Sequence, residues 1–231
     1  MQAFLAAIKS LTLWGGFSAI RSAPEAVKKS AAYFPLVGLI LGLLLAVSNY
    51  ILAPYLDPEI LNILIITLWI AVTGALHLKE LKCTFEALDV PDGELNGAVG
   101  VAALLMVILL KSAALNSMDE ILTLSLLLSP LLARWALLLF FFGYHTHFDE
   151  TCREMARHVN IWSVLANTAA MLAFTIYFLG RKGLWIALIV SLFPLVMRGV
   201  LHRRHALLSR PNVGATVELT EALSLVLLAS L

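Results

Sequence analysis

Long apolar runs constrain this chain more than any other feature. Spanning a bilayer takes about 20 mostly apolar residues in a helix, because hydrocarbon offers no water to satisfy free backbone groups. Six such runs cover residues 31–53, 60–78, 96–116, 121–142, 161–180 and 184–201, separated by short segments that carry most of the charge and the helix breakers. A seventh, 213–231, contains Glu218 and Glu221. Residues 1–30 hold a semi-apolar stretch broken by Lys9 and Gly15-Gly16, which predicts an interfacial helix. The expected fold is therefore all-α, a single polytopic membrane domain of six or seven transmembrane helices plus the N-terminal interfacial one. Gly38, Gly42, Gly74, Gly97 and Gly100 are expected to let helices approach closely, and Pro130 and Pro194 to kink theirs.

Composition agrees: of 231 residues 61% are hydrophobic and only 13% charged, which excludes an ordinary water-soluble globule. The formal charge of +1 gives no field to hold a polyanion, so nucleic acid is set aside as a partner. Two cysteines, Cys83 and Cys152, make neither a disulfide framework nor a cysteine-rich zinc site.

Cations are retained on the cytoplasmic side of membrane proteins. With the N-terminal segment cytoplasmic, alternation of seven spans puts Lys9, Arg21, Lys28, Lys29, Lys79, Lys82, Arg153, Arg157, Arg198, Arg203, Arg204 and Arg210 inside, and only Lys111, Arg181 and Lys182 outside. Arg134 falls within a span. The same arrangement gathers His145, His147, His158, His202 and His205 on the inner side, with His77 at the inner end of the second span. Glu80, Glu86, Asp89, Asp92 and Glu94 follow directly. A site facing the cytosol is the natural expectation. His145 with His147, or His202 with His205, could hold a metal, but neither spacing is specific and each histidine is better read as an ordinary loop residue.

Glu218 and Glu221 lie at i and i+3, on one helix face, about 6 and 10 Å below Gly214 along the axis. Two acids within hydrocarbon need water, a cation or a partner, and such residues are functional candidates; a structural contact with Arg134 is the alternative, with His202 or Arg203-Arg204 as other possible partners.

Five segments occur together in order. They are YFPLVGLILG at 33–42, TGALHL at 73–78, GAVGVAAL at 97–104, Arg134-Trp135 after an apolar run, and GATVELTEAL at 214–223. In this combination the chain resembles the cobalamin synthase family, also called adenosylcobinamide-GDP ribazoletransferase, from Tyr33 to the C-terminus. The resemblance implies a multi-pass enzyme of the inner membrane of a bacterium or archaeon, working at the cytoplasmic face and plausible as a homodimer. It implies that the hydroxyl of alpha-ribazole, or of its 5'-phosphate, attacks the phosphate of adenosylcobinamide-GDP and displaces GMP, with magnesium assisting.

Such a reaction needs cations to neutralise phosphate charge and carboxylates to hold those cations. The family supplies carboxylates from the stretch HLDGLADTADGL; here it reads HLKELKCTFEAL, with Lys79 and Cys83 in place of the first two aspartates and Glu86 at the third. A second block, MKDSRIGAFGV in the family, reads PDGELNGAVGV, with Asp92 and Glu94 the nearest acids. The family's TGD near the C-terminus becomes Ser209, Arg210 and Pro211.

His77, Glu86, Glu218 and Glu221 are the expected catalytic residues. Where the family's aspartates are missing, either Glu86, Glu218 and Glu221 hold the metal with acids of the 89–94 loop, or Lys79 and Lys82, with Arg134, bind the phosphates in place of a metal. Two other classes stay open: a scaffold or corrinoid-binding paralogue without transferase activity, and an ion or metal transporter built on the glutamate pair.

Overall fold

The computed structural model describes residues 2–12, 29–88, 97–204 and 207–231. Asp89, Asp92, Glu94, Arg21, Lys28 and His205 lie outside the described residues, as does most of the predicted interfacial segment. Among the described residues nine α-helices follow one another: α1 (Gln2–Leu11), α2 (Phe34–Leu52), α3 (Pro58–Thr73), α4 (Leu76–Leu88), α5 (Gly97–Asn116), α6 (Leu122–Phe141), α7 (Glu150–Arg157), α8 (Ile161–Arg204) and α9 (Arg210–Ala229). The chain is a polytopic helical membrane protein. Five helices are long and apolar enough to cross a bilayer, six if the bent pair α3 and α4 counts as one span.

Two departures from the expected helix map both occur at glycines. The run 60–78 is not one straight span. α3 closes at Gly74 (φ 64°) and Ala75 (φ 53°), and α4 leaves at 85° to it. Glycine enters the left-handed region without a Cβ penalty, which makes Gly74 the natural helix stop. Conversely, 161–180 and 184–201 are the arms of the single assigned helix α8, whose one non-helical residue is Gly180 (φ 57°, ψ −138°). Trp135 Nε1 donates to Thr168 Oγ1 at 3.1 Å from one arm, while Arg198 on the other donates to the carbonyls of Leu139 and Phe142 at 3.2 and 2.9 Å. Residues 168 and 198 would sit about 45 Å apart in a straight helix, so α8 folds back as a hairpin. The reversal comes at Gly180; Pro130 and Pro194, the expected kink sites, lie inside α6 and α8.

α6 is the axis of the bundle, with Leu126, Leu128, Leu132, Arg134, Trp135, Phe140 and Phe141 all fully buried. α2 packs on it through its glycines: a Cβ on Gly38 would lie 2.5 Å from the Pro130 carbonyl oxygen and 2.9 Å from Leu131 Cα. Such contact is how helices associate in a medium as apolar as their own side chains. At the far end of the bundle Asn49 Nδ2 donates to Thr123 Oγ1 (3.2 Å), Asn62 Nδ2 to Asn116 Oδ1 (2.7 Å), and Lys182 Nζ to the Leu231 carbonyl (2.6 Å). At the near end, backbone bonds Leu208 N to His147 O and Asp149 N to Leu208 O, both 2.8 Å, fasten the loop before α7 to the start of α9.

Candidate active site

The polar groups fall into two layers along α9. In the deeper layer Lys111 of α5 donates to Glu218 Oε2 at 2.6 Å and also to Glu221, whose other oxygen takes a hydrogen bond from Arg134 Nη1 of α6. Side-chain exposure across the four runs from 0% to 7%. Lys111 Nζ also sits 4.6 Å from the centre of the Trp69 ring, a cation–π contact from α3. Ser129 Oγ donates to the Glu221 carbonyl (3.1 Å) and accepts from Ser224 Oγ (2.9 Å). Two cations face two carboxylates, so the layer is neutral. This is the condition for holding charge in a dry interior, since an unpaired ion there costs several kcal/mol.

Lys111, within the run 96–116 and counted with the outer cations, lies instead in this buried layer. It sits five residues before the end of α5, 5% exposed, where an unpaired ammonium could not remain. Arg134 is fully buried against Glu221, a turn or more below the rim, so it is the predicted structural partner of the glutamates and is not presented to a phosphate.

The upper layer lies at the near end, where α4 packs along the first turns of α9. His77 Nδ1 pairs with Glu80 Oε2 at 3.2 Å, and Arg210 Nε donates to Glu80 Oε1 at 2.8 Å. A carboxylate on Nδ1 makes that nitrogen the donor and leaves Nε2 as an acceptor; His77 Nε2 has no hydrogen-bond partner among the described residues. Gly214 makes room, since a Cβ there would run into the Glu80 side chain, with Glu80 Cδ at 2.8 Å. On another face of α4, turned to α5, Lys82 Nζ donates to Glu86 Oε1 at 2.7 Å, and a Cβ on Gly100 would meet Glu86 Cγ at 2.6 Å and the Lys82 carbonyl at 2.8 Å. Lys79 is exposed beside them.

The structure thus brings Lys79, Lys82 and Glu86 to one rim, sets His77 buried just under it, and sends Glu218, Glu221 and Arg134 to the buried layer beneath. The histidines regroup: His147 and His202 meet with ring centres 4.6 Å apart, with Tyr144 stacked 4.2 Å from His147. His145 and His158 do not join them in any ring contact among the described residues. Sequence reading gave no role to Glu80 or Arg210, although the i, i+3 spacing of His77 and Glu80 is a signal for their pairing.

The chain matches the family described as Cobalamin-5-phosphate synthase over residues 3–229. It belongs to that family. It is 30% identical to an adenosylcobinamide-GDP ribazoletransferase of Geotalea daltonii, covering 91% of this chain and 90% of the relative. It is 31% identical to one of Pseudomonas fluorescens, covering 89% and 90%, and 28% identical to one of Desulfitobacterium hafniense, covering 87% and 86%. No solved structure matches.

For the magnesium that the family resemblance implies, the described carboxylates are a poor fit. Glu218 and Glu221 are already neutralised by Lys111 and Arg134, Glu86 is paired with Lys82, and Glu80 with Arg210. No group of three or more His, Cys, Asp or Glu able to hold a metal occurs among the described residues.

Proposed function

We propose that this chain is an adenosylcobinamide-GDP ribazoletransferase, joining alpha-ribazole or its 5'-phosphate to adenosylcobinamide-GDP with release of GMP, at the cytoplasmic face of the membrane. The family match across residues 3–229 carries the reading. In the step itself the ribazole hydroxyl oxygen forms the new bond to phosphorus as the bond to the GMP oxygen breaks; the hydroxyl proton leaves, and the electron pair departs with GMP. Three features of the near end suit this. Lys79 and Lys82 offer point charges to the diphosphate. His77 lies buried beneath the rim, its tautomer set by Glu80, with an unpartnered Nε2 to take the proton from a hydroxyl that reaches down to it. The neutral layer below fixes α5, α6 and α9 beneath the rim, so Glu218, Glu221 and Arg134 act by holding the helices together.

Nothing among the described residues favours a transporter, since Glu218 and Glu221 are paired with Lys111 and Arg134. The test against a scaffold is purified protein with adenosylcobinamide-GDP, alpha-ribazole and magnesium. GMP release is expected, with a fall of about 10²-fold or more in His77→Ala; folded protein that releases none refutes the proposal.

A further inference from the structure

The rim has exchanged the charge type that a metal needs for the type that a phosphate needs. Family members carry three aspartates and no cation in HLDGLADTADGL, whereas residues 77–88 here carry Lys79 and Lys82 with Glu80 and Glu86 and are neutral. The family's TGD is likewise replaced by a segment carrying Arg210. The acids among the described residues of this helix are spoken for: Glu86 by Lys82, Glu80 by Arg210 and His77. The cations are the outward-facing partners in both ion pairs. Side-chain exposure is 39% for Lys82 against 13% for Glu86, and 59% for Arg210 against 13% for Glu80. Lys79, also exposed, enters no ion pair among the described residues. An anion approaching the near end therefore meets ammonium and guanidinium groups first, with the carboxylates behind them.

We infer that this chain binds the diphosphate of its nucleotide substrate directly through Lys79, Lys82 and Arg210, without a divalent cation. The inference rests on the function proposed above and deepens it. Arg210 is the new member of the set. Glu80 anchors its Nε, leaving the rest of the planar guanidinium to fork onto phosphate oxygens. Lys79 and Lys82, at i and i+3 on α4, give two more charges on one face. A magnesium ion placed among these three would be repelled, while a diphosphate is attracted and needs no metal to screen it.

The test is equilibrium binding of adenosylcobinamide-GDP to the full-length protein in detergent, with alpha-ribazole left out so that no turnover occurs, in EDTA and in magnesium. Affinity is expected to be the same in both and to weaken with rising salt, as charge-based binding does. Lys79→Gln and Arg210→Gln are each expected to weaken it by about tenfold, the loss of one charge-assisted contact. Lys79→Arg should keep it, and Lys182→Gln, at the opposite end, should not change it. Thermal unfolding of each variant separates lost binding from lost fold. Binding that appears only with magnesium, or that ignores Lys79→Gln and Arg210→Gln in folded protein, overturns the inference while leaving the transferase proposal standing. Folded protein that binds in neither buffer overturns both.

Discussion

The two polar layers contain the same kinds of side chain and behave as opposites. In the deep layer Lys111, Arg134, Glu218 and Glu221 are at most 7% exposed, pair reciprocally, and join α5, α6 and α9. In the rim layer Lys82, Arg210, Glu80 and Glu86 are 13 to 59% exposed, and each pair has one partner turned outward. Depth decides the role. A buried charge is committed to its counter-charge, because separating them exposes an ion to a dry interior; a half-exposed charge gains little from its partner and can be lent to a ligand. Function is therefore expected to reside at the rim and stability in the layer beneath it.

The sharpest way to break this contrast is Lys111→Met, which leaves two buried carboxylates facing one cation. A loss of about 3–5 kcal/mol is expected in denaturant unfolding in detergent. Adding Glu218→Gln should restore most of it, because the remaining Glu221–Arg134 pair is again neutral; a single variant as stable as the parent would show that the deep layer holds nothing together. A smaller effect, about 1–3 kcal/mol, is expected for Gly38→Ala, since the new methyl meets backbone atoms of Pro130 and Leu131 that cannot swing aside. At the rim Lys82→Ala should leave the unfolding midpoint unmoved while lowering affinity for the nucleotide substrate, the reverse of the Lys111 result; a destabilised Lys82 variant would erase the distinction between the layers. The least effect belongs to the thiols. Cys152 is 1% exposed and its thiol is pushed up by burial, then by Asp149 beside it, so it should resist alkylation in folded protein. Half-buried Cys83, on the rim helix, should label first, as mass spectrometry of a single-label time course would record.

Much of this architecture was legible in the apolar runs, because membrane-spanning length and hydropathy leave little choice. The departures come from glycine. Gly74 and Gly180 look alike in sequence, yet one ends a helix with an 85° turn and the other reverses the chain within what is otherwise continuous helix. Which of these a glycine does depends on the neighbours that each arm finds, and that is tertiary information. The charge pairs divide in the same way. Arg134 was legible as a partner of the glutamates because it is unmistakably inside a span, whereas Lys111, five residues from the end of its helix, reads as a cation of the outer side with no partner of its own. Its place is set by the position of Glu218 and Glu221 on α9, 107 and 110 residues later. Glu80 and Arg210 are separated by 130 residues, and nothing local to either announces the other.

The central claim is that the rim, and not the buried glutamates, carries the chemistry. Release of GMP from adenosylcobinamide-GDP and alpha-ribazole, measured side by side in the parent, in Lys79→Gln and in the neutral pair Lys111→Met with Glu218→Gln, tests it most directly. The account predicts that the parent releases GMP, that Lys79→Gln falls by about tenfold or more, and that the folded double variant stays close to the parent. Full activity in Lys79→Gln together with none in the folded double variant would contradict it.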